Sequence, residues 1–178
     1  MDTIVLKDQA AERLTGLREI INLTSLMSPV TTLSSYSSGA AFAELANWTK
    51  RNGRGLAFDS STGFTLLDQS IFTADACWLS RKKWNALSPE DKDSYAPVCP
   101  DFIIEVRSKN DDMNELRKKI ERWIKNGAQL AWLIDPREEA CFIFEPDKIE
   151  NRINGFNQIL KGEGPVEGFI LDLSLLKI

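Results

Sequence analysis

Asp75 and Glu105 stand where carboxylates are costly. Asp75 falls within Ile71-Phe72-Thr73-Ala74-Asp75-Ala76-Cys77-Trp78-Leu79, and Glu105 within Phe102-Ile103-Ile104-Glu105-Val106. An ionised side chain inside an apolar strand has to bind or pair with something. Placed on neighbouring strands, these two acids and a backbone carbonyl, that of Val106, would form a hard-oxygen site suited to Mg2+ or Mn2+. An ion held this way acidifies bound water and stabilises the charge of a phosphodiester under attack. A cationic side chain nearby can orient the water and neutralise developing charge. Arg107 is one candidate, because it lies two residues beyond Glu105 on the same strand face. Lys119, on the helix that follows, is the other. Leu116, Ile120, Trp123 and Ile124 define the apolar face of that helix. Lys119 falls roughly 85° from its centre, whereas Lys118 and Lys125 fall roughly opposite. Lys119 can therefore reach over the helix edge toward the sheet. Glu44, on an earlier helix between Ala40 and Trp48, is the remaining candidate acid.

This chemistry needs no histidine, and the chain has none. Serine–histidine triads, cysteine–histidine dyads and histidine-based zinc hydrolysis are thereby excluded. Cys77, Cys99 and Cys141 are odd in number and far apart, which argues against a zinc knuckle or a secreted disulfide framework. Reduced, cytoplasmic cysteines are the simplest expectation. The first residues, Met1 to Leu6, show no basic and then apolar leader pattern. No apolar run approaches the roughly 20 residues a membrane span requires. A length of 178 residues, 43% hydrophobic and 27% charged, fits one domain with a core of its own. The net charge of −4 argues against a broad electrostatic grip on nucleic acid, though not against a local basic face.

The elements that must position these groups follow from periodicity and punctuation. Ser34 to Gly39 reads as loop, leading into a helix over about Ala40 to Thr49 that ends at Arg51-Asn52-Gly53-Arg54-Gly55. Leu56 to Phe58, Phe64 to Leu67 and Ile71 to Leu79 read as strands. Arg81 to Leu87 reads as a short helix, and Ser88-Pro89-Glu90 as the start of another. Asp101 to Ser108 is the strongest strand, with Phe102, Ile104 and Val106 on one face. An amphipathic helix follows, from between Asn110 and Met113 to about Asn126, then strands over Gln129 to Ile134 and Ala140 to Phe144. The strand–helix–strand order predicts a crossover unit on a mixed sheet. The apolar run Phe169 to Leu176 suits either a core strand or an interface between copies.

Several of these segments together resemble a known family. They are Pro100-Asp101-Phe102-Ile103-Ile104-Glu105-Val106-Arg107-Ser108, Lys119-Ile120-Glu121-Arg122-Trp123, Asn126-Gly127 and Trp132-Leu133-Ile134-Asp135-Pro136. With Met27-Ser28-Pro29, Asp59 to Phe64 and Thr73 to Trp78, they resemble the Uma2 family over most of residues 18–146. That family is placed in the PD-(D/E)xK nuclease superfamily. The resemblance implies a single domain over 1–178 with an α/β (α+β) fold of the restriction-endonuclease type, a mixed β-sheet core flanked by helices, and a nuclease core over about 30–146. It also implies a Mg2+ or Mn2+ site on Asp75 and Glu105, DNA as substrate and a homodimer. The superfamily lysine usually stands two residues after the acid, where this chain has Arg107; Lys119 matches a lysine moved to the next helix. Two readings remain open at this point: a metal-dependent endonuclease, or a nuclease fold retained as a DNA-binding or protein-interaction module.

Overall fold

The computed structural model describes residues 31–177. Met1 to Leu6 and the Met27-Ser28-Pro29 match lie outside the described residues. Helix α1, Thr32–Asn52, opens on Thr31, whose side-chain oxygen accepts from the Ser34 N–H, and closes on Gly53 at φ 67°. The serine-rich run expected as loop is thus its first two turns. Ala41, Leu45 and Trp48 form its buried stripe, and Ser37 continues that stripe because its hydroxyl donates to the carbonyls of Leu33 and Leu176, each at 3.0 Å. With its hydroxyl satisfied, a buried serine costs little.

Strand β1, Gly55–Asp59, follows, then the hairpin β2, Gly63–Thr65, and β3, Ile71–Thr73. β4 is Ala76–Ser80, helix α2 is Arg81–Ala86, and α3 is Pro89–Lys92, started by a reciprocal capping box between Ser88 and Asp91. β5, Phe102–Val106, is buried throughout and leads through Asp112, the N-cap, into α4, Met113–Lys125. β6, Leu130–Asp135, β7, Ala140–Phe144, and β8, Asn151–Asn154, continue the sheet. A ribbon of β9, Ile159–Lys161, and β10, Ile170–Asp172, follows, with one 3-10 turn, Gly164–Val166, between its strands and another, Leu173–Leu176, after it.

The main sheet runs β1-β4-β5-β6-β7-β8. β5 and β6 are parallel, as the crossover through α4 requires, and each other neighbouring pair is antiparallel. The mixed sheet with flanking helices is the predicted α/β architecture. Alternation along the strands feeds two cores. Phe102, Ile104, Val106 and Trp132 pack with α1 and with Phe169, Leu171, Leu173 and Leu176. Within the Phe169–Leu176 run these four side chains are therefore core of this chain, fully buried, while Ile170 and Leu175 are exposed. Ile103, Ala131 and Leu133 face the other way, against Ile120 and Trp123 of α4 and Phe64 and Leu66 of the hairpin region. At roughly 1.5–3 kcal/mol for each large side chain removed from water, these two layers are what fix the sheet between its helices.

One strand departs from expectation. Ile71 to Leu79 is not continuous: the chain bends at Asp75, so β3 pairs with β2 while β4 enters the main sheet. The physical reason lies in Asp75 itself. Its Oδ2 accepts from the Val106 N–H at 2.6 Å, so a side chain takes the place of the next backbone bond of the β4–β5 ladder. Among the described residues, no helix is long and apolar enough to cross a membrane.

Candidate active site

The bend puts Asp75 just outside the end of β4, opposite Glu105. Ala76 pairs with Ile104 in antiparallel register, so the next positions outward are Asp75 and Glu105, on the sheet face that carries Ile103. Glu105 is 3% exposed. Its two oxygens are nonetheless occupied. Lys119 Nζ lies 2.8 Å from Oε1 and 2.9 Å from Oε2, and Trp123 Nε1 donates to Oε1 at 3.1 Å. Lys119 and Trp123 are four residues apart, so one face of α4 delivers both donors to one carboxylate. Phe72 from the hairpin stands edge-on to the Trp123 ring at 5.4 Å and closes this side of the site.

Burial raises the Asp75 carboxyl above its ordinary range, opposed by the Val106 N–H and the Lys119 charge. Burial likewise pushes Glu105 up to about 7; Lys119 opposes this and the neighbouring charge of Asp75 adds to it. For Lys119, burial disfavours the ammonium, but the Glu105 charge and hydrogen bond, with Asp75 and Asp111, outweigh it and raise its pKa. Two carboxylates that repel one another in a dry place, with a cation between helix and sheet, form an electrostatically strained group of the kind found at functional sites.

The structure thus brings Asp75, Glu105 and Lys119 together. Val106 joins them through its N–H. Two predicted residues go elsewhere. Arg107 is past the end of β5, and its guanidinium turns to Asp135, with NH1 at 2.7 Å from Oδ2, and to the Asp111 carbonyl at 3.3 Å. Glu44 sits half-buried on α1. Its neighbours Leu45 and Trp48 pack on the opposite sheet face from Glu105, and Glu44 has no ion pair among the described residues. Asp101, at the far end of β5, is held by Lys83 at 2.9 Å, by Gln129 and by the Ser80 N–H.

Sequence reasoning passed over Trp123 and Asp111. The four-residue spacing from Lys119 was the available signal for Trp123. Asp111 raises the Asp75 pKa by its charge, while its own Oδ2 accepts from the Ser108 N–H at 2.7 Å; nothing in the local pattern marks it. Among the described residues there is no cluster of three or more acidic or cysteine side chains spaced to hold a metal. Two carboxylates are nevertheless enough for Mg2+, which keeps several waters and takes other ligands from substrate phosphate. The donor chemistry fits: both acids offer hard oxygens, and their mutual repulsion is relieved by a cation.

Comparison with known proteins gives a family and a shared fold. The family model Uma2, described as "Putative restriction endonuclease", matches residues 20–174. A crystal structure of "a putative nuclease belonging to DUF820" from Anabaena variabilis shares the fold, with a TM-score of 0.68 and 19% identity, covering 82% of this chain and 80% of that one. No curated protein matches.

Proposed function

Because the chain belongs to the Uma2 family, whose model spans most of its length, we propose that it is a metal-dependent endonuclease that hydrolyses phosphodiester bonds of DNA. The observation that carries the proposal is the meeting of Asp75, Glu105 and Lys119 at one strand end, from three separated parts of the chain. Asp75, Glu105 and the Val106 carbonyl are the residues that would hold Mg2+ or Mn2+. When bound, such an ion supplies Lewis-acid polarisation of the phosphate and an acidified water.

The chain's own groups do the rest. Lys119 carries the positive charge that meets the extra negative charge of phosphate in the transition state. Trp123 and Lys119 together hold Glu105 in one orientation, and a bound cation would share its oxygens with these donors. The Val106 N–H fixes Asp75 in the same way. Trp123 and Phe72 wall the Glu105 carboxylate on the helix side, and its burial strengthens each of these interactions. A homodimer, in which two copies address the two strands, belongs to the same reading. The test is nicking of supercoiled plasmid with Mn2+ or Mg2+ present and its loss on chelation. A protein that folds, takes up Mn2+ and leaves DNA intact is instead the non-catalytic module.

Cation binding should be linked to protons. Glu105 holds a proton below about 7, so an incoming ion must displace it there and meets a free carboxylate above. Affinity for Mn2+ should fall as pH drops, with release of about one proton per ion on the acid side. Calorimetry in two buffers of different ionisation enthalpy reads that number directly. In the metal-free protein the sign is the reverse of an ordinary acid. The folded pKa lies above the usual 4.5, so the folded state holds the extra proton between 4.5 and about 7, and this group's contribution to stability is lost as pH rises through that window.

A further inference from the structure

Arg107 stands at the position the nuclease pattern reserves for lysine, yet it does not reach Glu105. It forms one wall of a neighbouring cavity of about 200 Å3. Leu33 and Pro136 form the apolar part of that cavity, with Arg107, Lys109 and Arg137 around it and the first turn of α1 at its edge. The cavity lies at the carboxyl ends of the parallel pair β5 and β6, where crevices in α/β sheets take ligands. It shares the segment 107–112 with the candidate active site, which begins two residues earlier at Glu105.

Its charges are arranged for an anion. Arg107 is anchored by the fully buried Asp135, which uses one end of its guanidinium and leaves other N–H groups of the fork unused. Lys109 and Arg137 are exposed and have no ion-pair partner among the described residues. The nearby carboxylate of Asp111 is taken up by the Ser108 N–H. The positive end of α1 adds to the same field. An apolar floor with cations at the rim suits a sugar carrying phosphate better than it suits a free ion.

We propose that this cavity is a second DNA-backbone site, in which Arg107, Lys109 and Arg137 grip another phosphodiester of the same duplex. The inference rests on the nuclease reading above and extends it. It also explains how a chain with net charge −4 holds a polyanion: the grip is local, at the strand ends, rather than spread over the surface.

The experiment measures binding of a labelled DNA duplex by fluorescence anisotropy across a salt series, in a Glu105→Gln background with Mg2+ present. Lys109→Ala and Arg137→Ala should each weaken binding uniformly across sequences and flatten the log–log salt dependence by about one, and the double variant by about two. Lys148→Ala, at the opposite end of the sheet, should change neither. Both cavity substitutions are at exposed positions, so folding is expected to survive; Arg107→Lys, which keeps charge but not the fork, should give a smaller loss of affinity. An unchanged slope and affinity in the double variant overturns the second site, while plasmid cleavage by the wild type would leave the nuclease reading standing. A loss seen on duplex RNA and not on DNA also overturns it. Absence of DNA binding in the parent overturns both readings together.

Discussion

Glu105→Gln and Asp75→Ala should each lower Mn2+-dependent plasmid cleavage by about 10³-fold or more, with little loss of folding stability. The argument differs for the two residues. Gln has the shape of Glu and keeps an oxygen for the Trp123 and Lys119 donors, which lie 3.1 and 2.8 Å from Glu105 Oε1. Only the charge is removed. Because burial already disfavours that charge, its loss should leave the thermal midpoint near that of the wild type or raise it. Asp75→Ala removes the acceptor of the buried Val106 N–H. Its cost should lie at the low end of the roughly 1–3 kcal/mol of an unpaired buried donor, because burial already disfavours the Asp75 charge that is lost with it. Cleavage that persists in both variants, at rates near wild type, would sink the metal-centred reading whatever the fold. Lys119→Ala provides the internal contrast. It leaves the oxygens in place but strips Glu105 of its counter-charge, so Glu105 should take up protons more readily and Mn2+ should bind best at higher pH than in the wild type.

The sequence carried the site further than it carried the path of the chain around it. Strand alternation put Phe102, Ile104 and Val106 on one face and Ile103 and Glu105 on the other, which is how the two cores divide. The helical wheel separated Lys119 from Lys118, and in the structure Lys119 meets Glu105 while Lys118 pairs with Glu115 at the surface. Both successes rest on periodicity, which is local and strong. The failures are tertiary. A serine-rich run has modest helix propensity, and only packing against Leu176, far along the chain, makes Ser37 a core residue. The bend at Asp75 depends on a bond to Val106, and no neighbour of Asp75 foretells it. Strand parity placed Arg107 beside Glu105 because β5 was taken to run to Ser108; it ends at Val106, and beyond that point parity no longer governs direction. Glu44 followed from a helix whose turns were legible but whose sheet face was not.

Asp135 is where stability and chemistry should come apart. Its carboxylate is fully buried at the end of β6, where it accepts from Arg107 and from the N–H groups of Arg137 and Glu138. Asp135→Ala leaves a guanidinium, itself only 22% exposed, facing an empty acceptor. Breaking a buried pair from one side costs about 3–5 kcal/mol. For a chain of this size that lowers the thermal midpoint by roughly 10 °C. Asp135→Asn keeps an oxygen for the turn and loses only the charge, so it should fall between. Pairing Asp135→Leu with Arg107→Met removes both charges and should recover the part of the loss that comes from the unpaired guanidinium, while the Arg137 and Glu138 N–H groups still lose their acceptor. Equal destabilisation by the single and the paired substitutions would show that the ion pair is not what holds this corner. The same corner anchors segment 107–112, which carries Lys109 and Asp111. The paired variant should therefore regain stability without regaining full DNA affinity, since the guanidinium is gone. Glu105→Gln shows the inverse pattern, with a fold intact and chemistry lost. One side of the strand ends is thus built to do chemistry at little structural cost, and the other to hold the backbone in place while it happens.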